Sequence, residues 1–390
     1  MELTDRMGRL GTESAFEVLG RARQLEKEGR KVVHLEIGEP DFATPAHIVE
    51  AAEAALRDGH TGYSAAEGIA ELREAVAAFF SRTRGTSYGA DRIVITPGAK
   101  PVMLYTILAT CDEGDEVLYP DPGFPMYESL SAFAGARPIA FPLREERGFR
   151  VDPEELASLV TDNTRMVILN SPHNPCGSTI PAEDLDRIAE ALAGRDLYVL
   201  TDEMYWAIRY GGQHATIATR DGMADRTILL DGCSKTFAMT GWRLGFAALP
   251  AELVEPVTKL IINSVSCTAT FVQKAAVAAL EGPWEPIETM VREFHLRRDA
   301  IVEGLERLPG ISCTEPEGAF YAFPNVRSLG GSAKDLARYL LEEAGVAALW
   351  GTAFGPGGEG HLRLSYANSI ENIQAALEAV EAALPGYPGG

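Results

Sequence analysis

From Arg92 onward, short apolar runs alternate with glycine-containing turns and longer helical stretches, and no other feature narrows the possible folds as far. The runs are Ile93–Thr96, Glu116–Tyr119, Pro138–Phe141, Met166–Asn170, Tyr198–Thr201, Thr227–Leu230 and Gly245–Leu249. Each has strand length, and most are separated by enough chain for a crossover helix. Parallel neighbours need such crossovers, so the alternation predicts an α/β body with a mainly parallel seven-stranded sheet and helices on both faces. Ligands in that architecture belong in loops at the carboxyl ends of the strands.

The flanks read differently. A helical stretch from Ala15 to Gly29 leads to a strand-like run, Val32–Ile37, and then to Gly38-Glu39-Pro40-Asp41-Phe42-Ala43-Thr44-Pro45, a loop whose prolines bar regular structure. Helical periodicity returns at Ala46–Arg57 and Ile69–Arg84, with Tyr63 on the loop between them. Beyond the alternating block lie helical stretches near Glu252–Asn263, Phe271–Leu280 and Glu288–Arg307, then a mixed region. Its strands are Ala319–Phe323, Val346–Trp350 and His361–Ser365, its helices Lys334–Glu343 and Ile370–Ala383, and a flexible-looking tail, Pro385–Gly390, ends it. A chain of 390 residues, 46% hydrophobic, exceeds one compact domain. The expected division is an N-terminal arm and part of a small domain over 1–45, a large domain over 46–285, and the remainder of a smaller α+β domain over 286–390.

Charge excludes some partners. With 35 basic against 56 acidic residues the net charge is −21, which repels nucleic acid and anionic membrane surfaces. No segment approaches the ~20 apolar residues of a membrane span, and the N-terminus has no signal core, so a cytoplasmic protein is expected. Cys111, Cys176, Cys233, Cys267 and Cys313 are scattered and never paired as CxxC, and the seven histidines are dispersed, so neither disulfides nor a metal site is expected.

The chemistry concentrates in Ser234-Lys235-Thr236-Phe237-Ala238-Met239-Thr240-Gly241-Trp242-Arg243, which sets one lysine and one arginine among uncharged residues. A lysine crowded by apolar neighbours and a second cation, here Arg243, loses its proton readily and can act as a Schiff-base amine. Asp202 follows a strand, so it should emerge at the sheet edge, where a buried carboxylate needs a cationic partner. Asn170-Ser171-Pro172-His173-Asn174 also follows a strand and can aim the Asn174 amide inward. Gly98-Ala99-Lys100, between a strand and a helix, offers backbone N–H groups to an anion. The sequence has no GxGxxG after the first strand, no GxxxxGK[ST] and no GxSxG.

In order and spacing these motifs resemble the fold-type I, pyridoxal-phosphate-dependent aminotransferases of class I, nearest to bacterial aspartate aminotransferase-like members, from about residue 30 to 370. Asn174 stands 28 residues before Asp202, Tyr205 three after it, and Arg243 eight after Lys235, as in that family. The resemblance implies that Lys235 bonds the cofactor aldehyde and shuttles the proton, Asp202 pairs with the pyridine nitrogen, and Tyr205 and Asn174 hydrogen-bond the ring oxygen. Phe124 would stack on the ring. Ala99 and Lys100 amides, Ser234 and Arg243 would hold the phosphate, with Tyr63 reaching in from a second subunit of a homodimer with shared active sites. Gly232 departs from the hydroxyl residue some relatives place there. Arg363 would fork onto the substrate α-carboxylate, beneath the loop at Gly38, and the turn Gly318-Ala319-Phe320-Tyr321 would face the same pocket.

The implied reaction moves an amino group from an L-amino acid to a 2-oxo acid in a ping-pong cycle. Elimination, decarboxylation or oxidation on the same cofactor is one alternative, and a non-catalytic binding protein of the same fold another. For the side chain, Lys100 favours a distal carboxylate, as in aspartate or glutamate with 2-oxoglutarate. Phe124, where aspartate-specific members have tryptophan, and the acid Glu13 favour a broader choice.

Overall fold

The computed structural model describes residues 3–389; Met1 and Glu2 of the arm and Gly390 of the tail lie outside the described residues. In chain order the strands are β1 (Val33–His34), β2 (Ile93–Thr96), β3 (Glu116–Asp121), β4 (Arg137–Pro142), β5 (Thr164–Asn170), β6 (Tyr198–Asp202), β7 (Thr227–Gly232) and β8 (Gly245–Ala248). They are followed by β9 (Tyr321–Ala322), β10 (Val346–Ala347), β11 (Leu349–Trp350) and β12 (Leu362–Ser365). Seven of them, in the order β2-β8-β7-β6-β5-β3-β4, form one sheet in which only β8 runs against its neighbours. Every residue of β2, β6 bar Tyr198, β7 and β8 is buried, which is why these runs read as continuously apolar rather than alternating.

Register gathers the candidate residues at one edge. Asn170 at the end of β5 lies beside Asp202 at the end of β6. Because β8 is antiparallel, its first residue, Gly245, pairs with Gly232 at the end of β7 and with Thr96 at the end of β2. The loops carrying Asn174, Asp202, Lys235, Arg243 and Ala99 therefore all open at the carboxyl edge of the parallel strands, as the alternation predicts.

The remaining strands are short. β1 pairs with β10, and β11-β12-β9 make a three-stranded antiparallel sheet. The long helix Glu285–Arg307 lies against the helix Ile370–Ala383, and Phe294, Ile301, Leu305, Phe320, Tyr366 and Ile373 fill the core around them. Several expected bounds change here, and the expected strand Ala319–Phe323 pairs only at Tyr321–Ala322. The Val32–Ile37 run pairs as a strand only at Val33–His34, and the Val346–Trp350 run splits at Ala348 because its halves join different sheets. The Lys334–Glu343 helix is α-helical over Ala333–Tyr339 and ends in a π turn, Leu340–Ala344, closed by Gly345 at φ 65°. Among the described residues no helix is long and apolar enough to cross a membrane, and all five cysteines are free.

Candidate active site

A cavity of about 460 Å³ opens at that sheet edge. Lys235, Asp202, Tyr205, Asn174, Ala99, Lys100, Phe124, Ser234, Arg243, Gly38 and Arg363 all line it. Tyr63 alone among the expected residues does not; it is 91% exposed on its own chain.

Lys235 sits in the short helix Cys233–Thr236 directly after β7, and its Nζ donates to the Gly38 carbonyl at 2.5 Å. Burial lowers its pKa to about 8, with the Arg363 and Arg243 cations assisting against Glu39 and Glu13. The stronger of the two cationic neighbours is Arg363, ahead of the Arg243 that sequence proximity suggests. Gly38 is held to glycine by packing, since a Cβ there would stand 2.1 Å from the Tyr321 hydroxyl.

Asp202 is buried and accepts from the Tyr127 hydroxyl at 2.8 Å and the Met204 N–H at 3.1 Å. Burial raises it to about 6 despite those bonds. A cation placed against it would restore the ordinary carboxylate. Asn170, given no role of its own from the sequence, fixes the neighbouring loop: its Nδ2 donates to the Asp202 carbonyl at 2.9 Å, and its Oδ1 accepts from the Asn174 N–H at 2.9 Å. The Tyr205 and Tyr321 hydroxyls are 2.7 Å apart, and burial pushes the Tyr205 phenol well up. Of the turn Gly318-Ala319-Phe320-Tyr321, Tyr321 lines the cavity and the other three residues do not.

At the far end, the helix Lys100–Thr110 begins with no side-chain cap, leaving its first N–H groups for an anion. Arg243, at φ 58°, makes no salt bridge among the described residues and donates Nη1 to the Thr240 carbonyl at 2.8 Å. Its guanidinium lies so close to Gly98, which is at φ 89°, that a Cβ would meet Nη2 at 2.2 Å. At Gly232 a side chain would collide with the Leu244 carbonyl at 2.9 Å, so the absent hydroxyl reflects close strand packing. Ser234, the helix N-terminus and Arg243 thus form a donor-rich cup that suits a phosphate.

Arg363 on β12 is the other unbalanced cation. It is 4% exposed, stacks over Tyr321 at 4.5 Å and Phe354 at 4.8 Å, and donates Nη1 to Asn174 Oδ1 at 3.3 Å and Nη2 to the Glu36 carbonyl. Its Nε has no partner, and no carboxylate pairs with it among the described residues. Glu13 and Lys100, which pull the specificity reading in opposite directions, are bonded to each other.

An α/β enzyme that grips a phosphorylated cofactor and a carboxylate-bearing substrate together needs a cavity of this kind. The sequence matches the family model "Aminotransferase class I and II" over residues 30–380. It is 37% identical to an aspartate aminotransferase of Musicola paradisiaca across 99% of this chain and 97% of that protein. It is 39% identical to aromatic-amino-acid aminotransferase 2 of Thermococcus litoralis across 98% of each. The crystal structure of the aspartate aminotransferase from Rhizobium meliloti superposes with a TM-score of 0.94 at 35% identity, covering 99% of both chains. The chain belongs to the class I and II aminotransferases: it is a pyridoxal-phosphate-dependent transaminase of fold type I.

Proposed function

We propose that this site transfers the amino group of an L-amino acid to a 2-oxo acid, with Arg363 taking the α-carboxylate common to both. The observation that carries this is the buried Arg363 guanidinium, unpaired at Nε and without a counter-ion, opening on the same cavity as Lys235. A buried cation so placed is costly until an anion joins it. Bound pyridoxal phosphate supplies an aldehyde that takes up the amino group and a ring that accepts the electrons of the broken Cα–H bond.

The protein's residues do the rest. Arg243, Ser234 and the Ala99 and Lys100 N–H groups would hold the phosphate, Asp202 would keep the ring nitrogen protonated, Tyr205 and Asn174 would donate to the ring oxygen, and Phe124 would cover the ring face. Lys235, whose burial weakens its ammonium, is the amine that would meet the cofactor's aldehyde, and its Nζ would hold the proton removed from Cα. The Gly38 loop covers the substrate carboxylate. Residues 46–285 form the cofactor-binding domain, and 1–45 with 286–390 the smaller one. The working unit is a cytoplasmic homodimer in which each Tyr63 would reach the partner's phosphate, a reading supported by its exposure and its absence from the lining of its own cavity.

For the substrates we propose the dicarboxylates, aspartate donating to 2-oxoglutarate to give glutamate and the reverse, with Lys100, 5.6 Å from the Phe124 ring, meeting the distal carboxylate from the cavity wall. The Glu13–Lys100 contact favours a broader range as the second reading. The primary test is Arg363→Leu. Loss of a buried charged contact should lower kcat/KM for L-amino acids by roughly 100-fold, mostly through KM. An unchanged dependence on amino-acid concentration would place the α-carboxylate elsewhere.

A further inference from the structure

The segment Glu13–Phe16 lines the cavity and brings a carboxylate, Glu13, to its wall. Glu13 precedes the helix Ser14–Lys27, yet its carboxylate makes no capping hydrogen bond. It pairs instead with Lys100 Nζ, which also lines the cavity. The pair is wet, with the Glu13 side chain 22% and the Lys100 side chain 46% exposed, and wet pairs open at little cost. Residues 3–12 are all exposed, and the Gly11 N–H donating to Ser129 Oγ at 2.9 Å is the side-chain tether of this stretch, so Glu13 can move without disturbing a core.

The other charged groups facing the cavity are committed elsewhere. Arg243 and Asp202 serve the cofactor, Arg363 the α-carboxylate and Lys235 the proton, while Glu39 is bonded by the Thr240 hydroxyl. The uncharged wall is mixed: Phe16, Met103, Phe124, Leu349 and Phe354 are apolar, and Ser14 and Thr240 add hydroxyls. With the ion pair closed Lys100 offers no free charge to a side chain; with it open, one ammonium is exposed.

We propose that Glu13 is a displaceable counter-ion that sets side-chain specificity, an inference that rests on the reading of Lys100 as the distal-carboxylate group. Neutral side chains bind with the Glu13–Lys100 pair closed. A dicarboxylate must displace Glu13 to claim Lys100, so it pays a penalty that neutral substrates escape. One pocket can then receive charged and uncharged substrates in alternate half-reactions.

The test uses the holoenzyme: kcat/KM for aspartate and phenylalanine, and calorimetric titration with succinate, a dicarboxylate that has no amino group to transfer. Glu13→Gln should raise aspartate kcat/KM and succinate affinity by roughly fivefold, through KM rather than kcat, and should not raise phenylalanine use. In a Lys100→Ala background the same substitution should lose most of that gain. An aspartate-to-phenylalanine ratio that stays level or falls in Glu13→Gln overturns the inference. Lys100→Ala keeps the two ideas apart. If it leaves aspartate and succinate binding intact, the reading of Lys100 fails and the inference with it; if it weakens both while Glu13→Gln strengthens neither, only the counter-ion role fails.

Discussion

Lys235 carries a charge that its surroundings oppose, and that opposition has a measurable sign. Its folded pKa of about 8 lies below the ordinary 10.5, so between those values the unfolded chain binds more protons. Stability of the cofactor-free protein should therefore rise with pH across that window, and the cost of the buried ammonium is borne in full below pH 8. Lys235→Met keeps the stem and removes the charge. The cofactor-free variant should be more stable than wild type at pH 7 by roughly 1–3 kcal/mol, a gain that shrinks toward pH 10.5. Urea denaturation at pH 7 and pH 9.5 measures it, and equal stability at pH 7 would mean the ammonium is well solvated. Asp202 carries the opposite problem, an acid raised by burial to about 6 and held down in part by the Tyr127 hydroxyl. Tyr127→Phe removes a donor to the charged form, so the carboxyl should titrate higher and hold a cationic ring nitrogen less firmly. Cofactor affinity should fall roughly tenfold, and its decline on acidification should begin at higher pH. Fluorescence titration from pH 5 to 8 would register both, and an unshifted pH profile would remove Tyr127 from that role.

The ends of β6 and β7 must stay fixed for Asp202 and Lys235 to face one ligand, and a buried ion cluster joins them. Arg84 donates Nε to Glu203 Oε2 at 3.2 Å, pairs through Nη2 with Asp231, and lies 3.8 Å over the Trp206 ring. His214 Nε2 is 2.7 Å from the same Glu203 carboxylate. Arg84→Ala would leave buried Asp231 without its cation and Glu203 with His214 as its remaining ion-pair partner, at a cost of roughly 3–5 kcal/mol. Thermal unfolding of the variant should show a large drop in Tm, and a loss under about 1 kcal/mol would mean water reaches the cluster. None of this cluster was legible in the sequence, where Arg84 reads as the polar end of a helical stretch. The seven sheet strands were legible because strands buried on both faces leave unbroken apolar runs, and the strand-end positions of Asn174, Asp202 and Lys235 follow from them. Tyr127 was not: it lies in the helix Met126–Ala134 at a spacing that reads as core, and its partner Asp202 is 75 residues away. The Glu13–Lys100 contact spans 87 residues and has no local signature either. The two-residue strands were drawn too long because an apolar run does not reveal where a chain changes sheets, as Val346–Trp350 does at Ala348.

At the scale of the whole molecule, the cup that suits the phosphate and the tyrosine expected to complete it lie apart on one chain. Tyr63 is 91% exposed, outside the cavity formed by its own Lys235 and Arg243. If it serves a partner's cup, each site in a homodimer combines Lys235 of one subunit with Tyr63 of the other, and damaged subunits should complement each other. Tyr63→Ala should weaken phosphate binding and leave a low activity; Lys235→Ala should leave none. In a heterodimer of the two, one site carries both substitutions and the other neither. Mixing the inactive Lys235→Ala protein with Tyr63→Ala under conditions of subunit exchange should therefore raise activity above that of the Tyr63→Ala protein alone. At a one-to-one ratio half the dimers are mixed, each with one intact site, so about a quarter of all sites should work at the wild-type rate. If Tyr63 acted within its own subunit, every site would keep one defect and mixing would give no gain. The same null result from chains shown to exchange, by labelled-subunit mixing, would exclude a shared site.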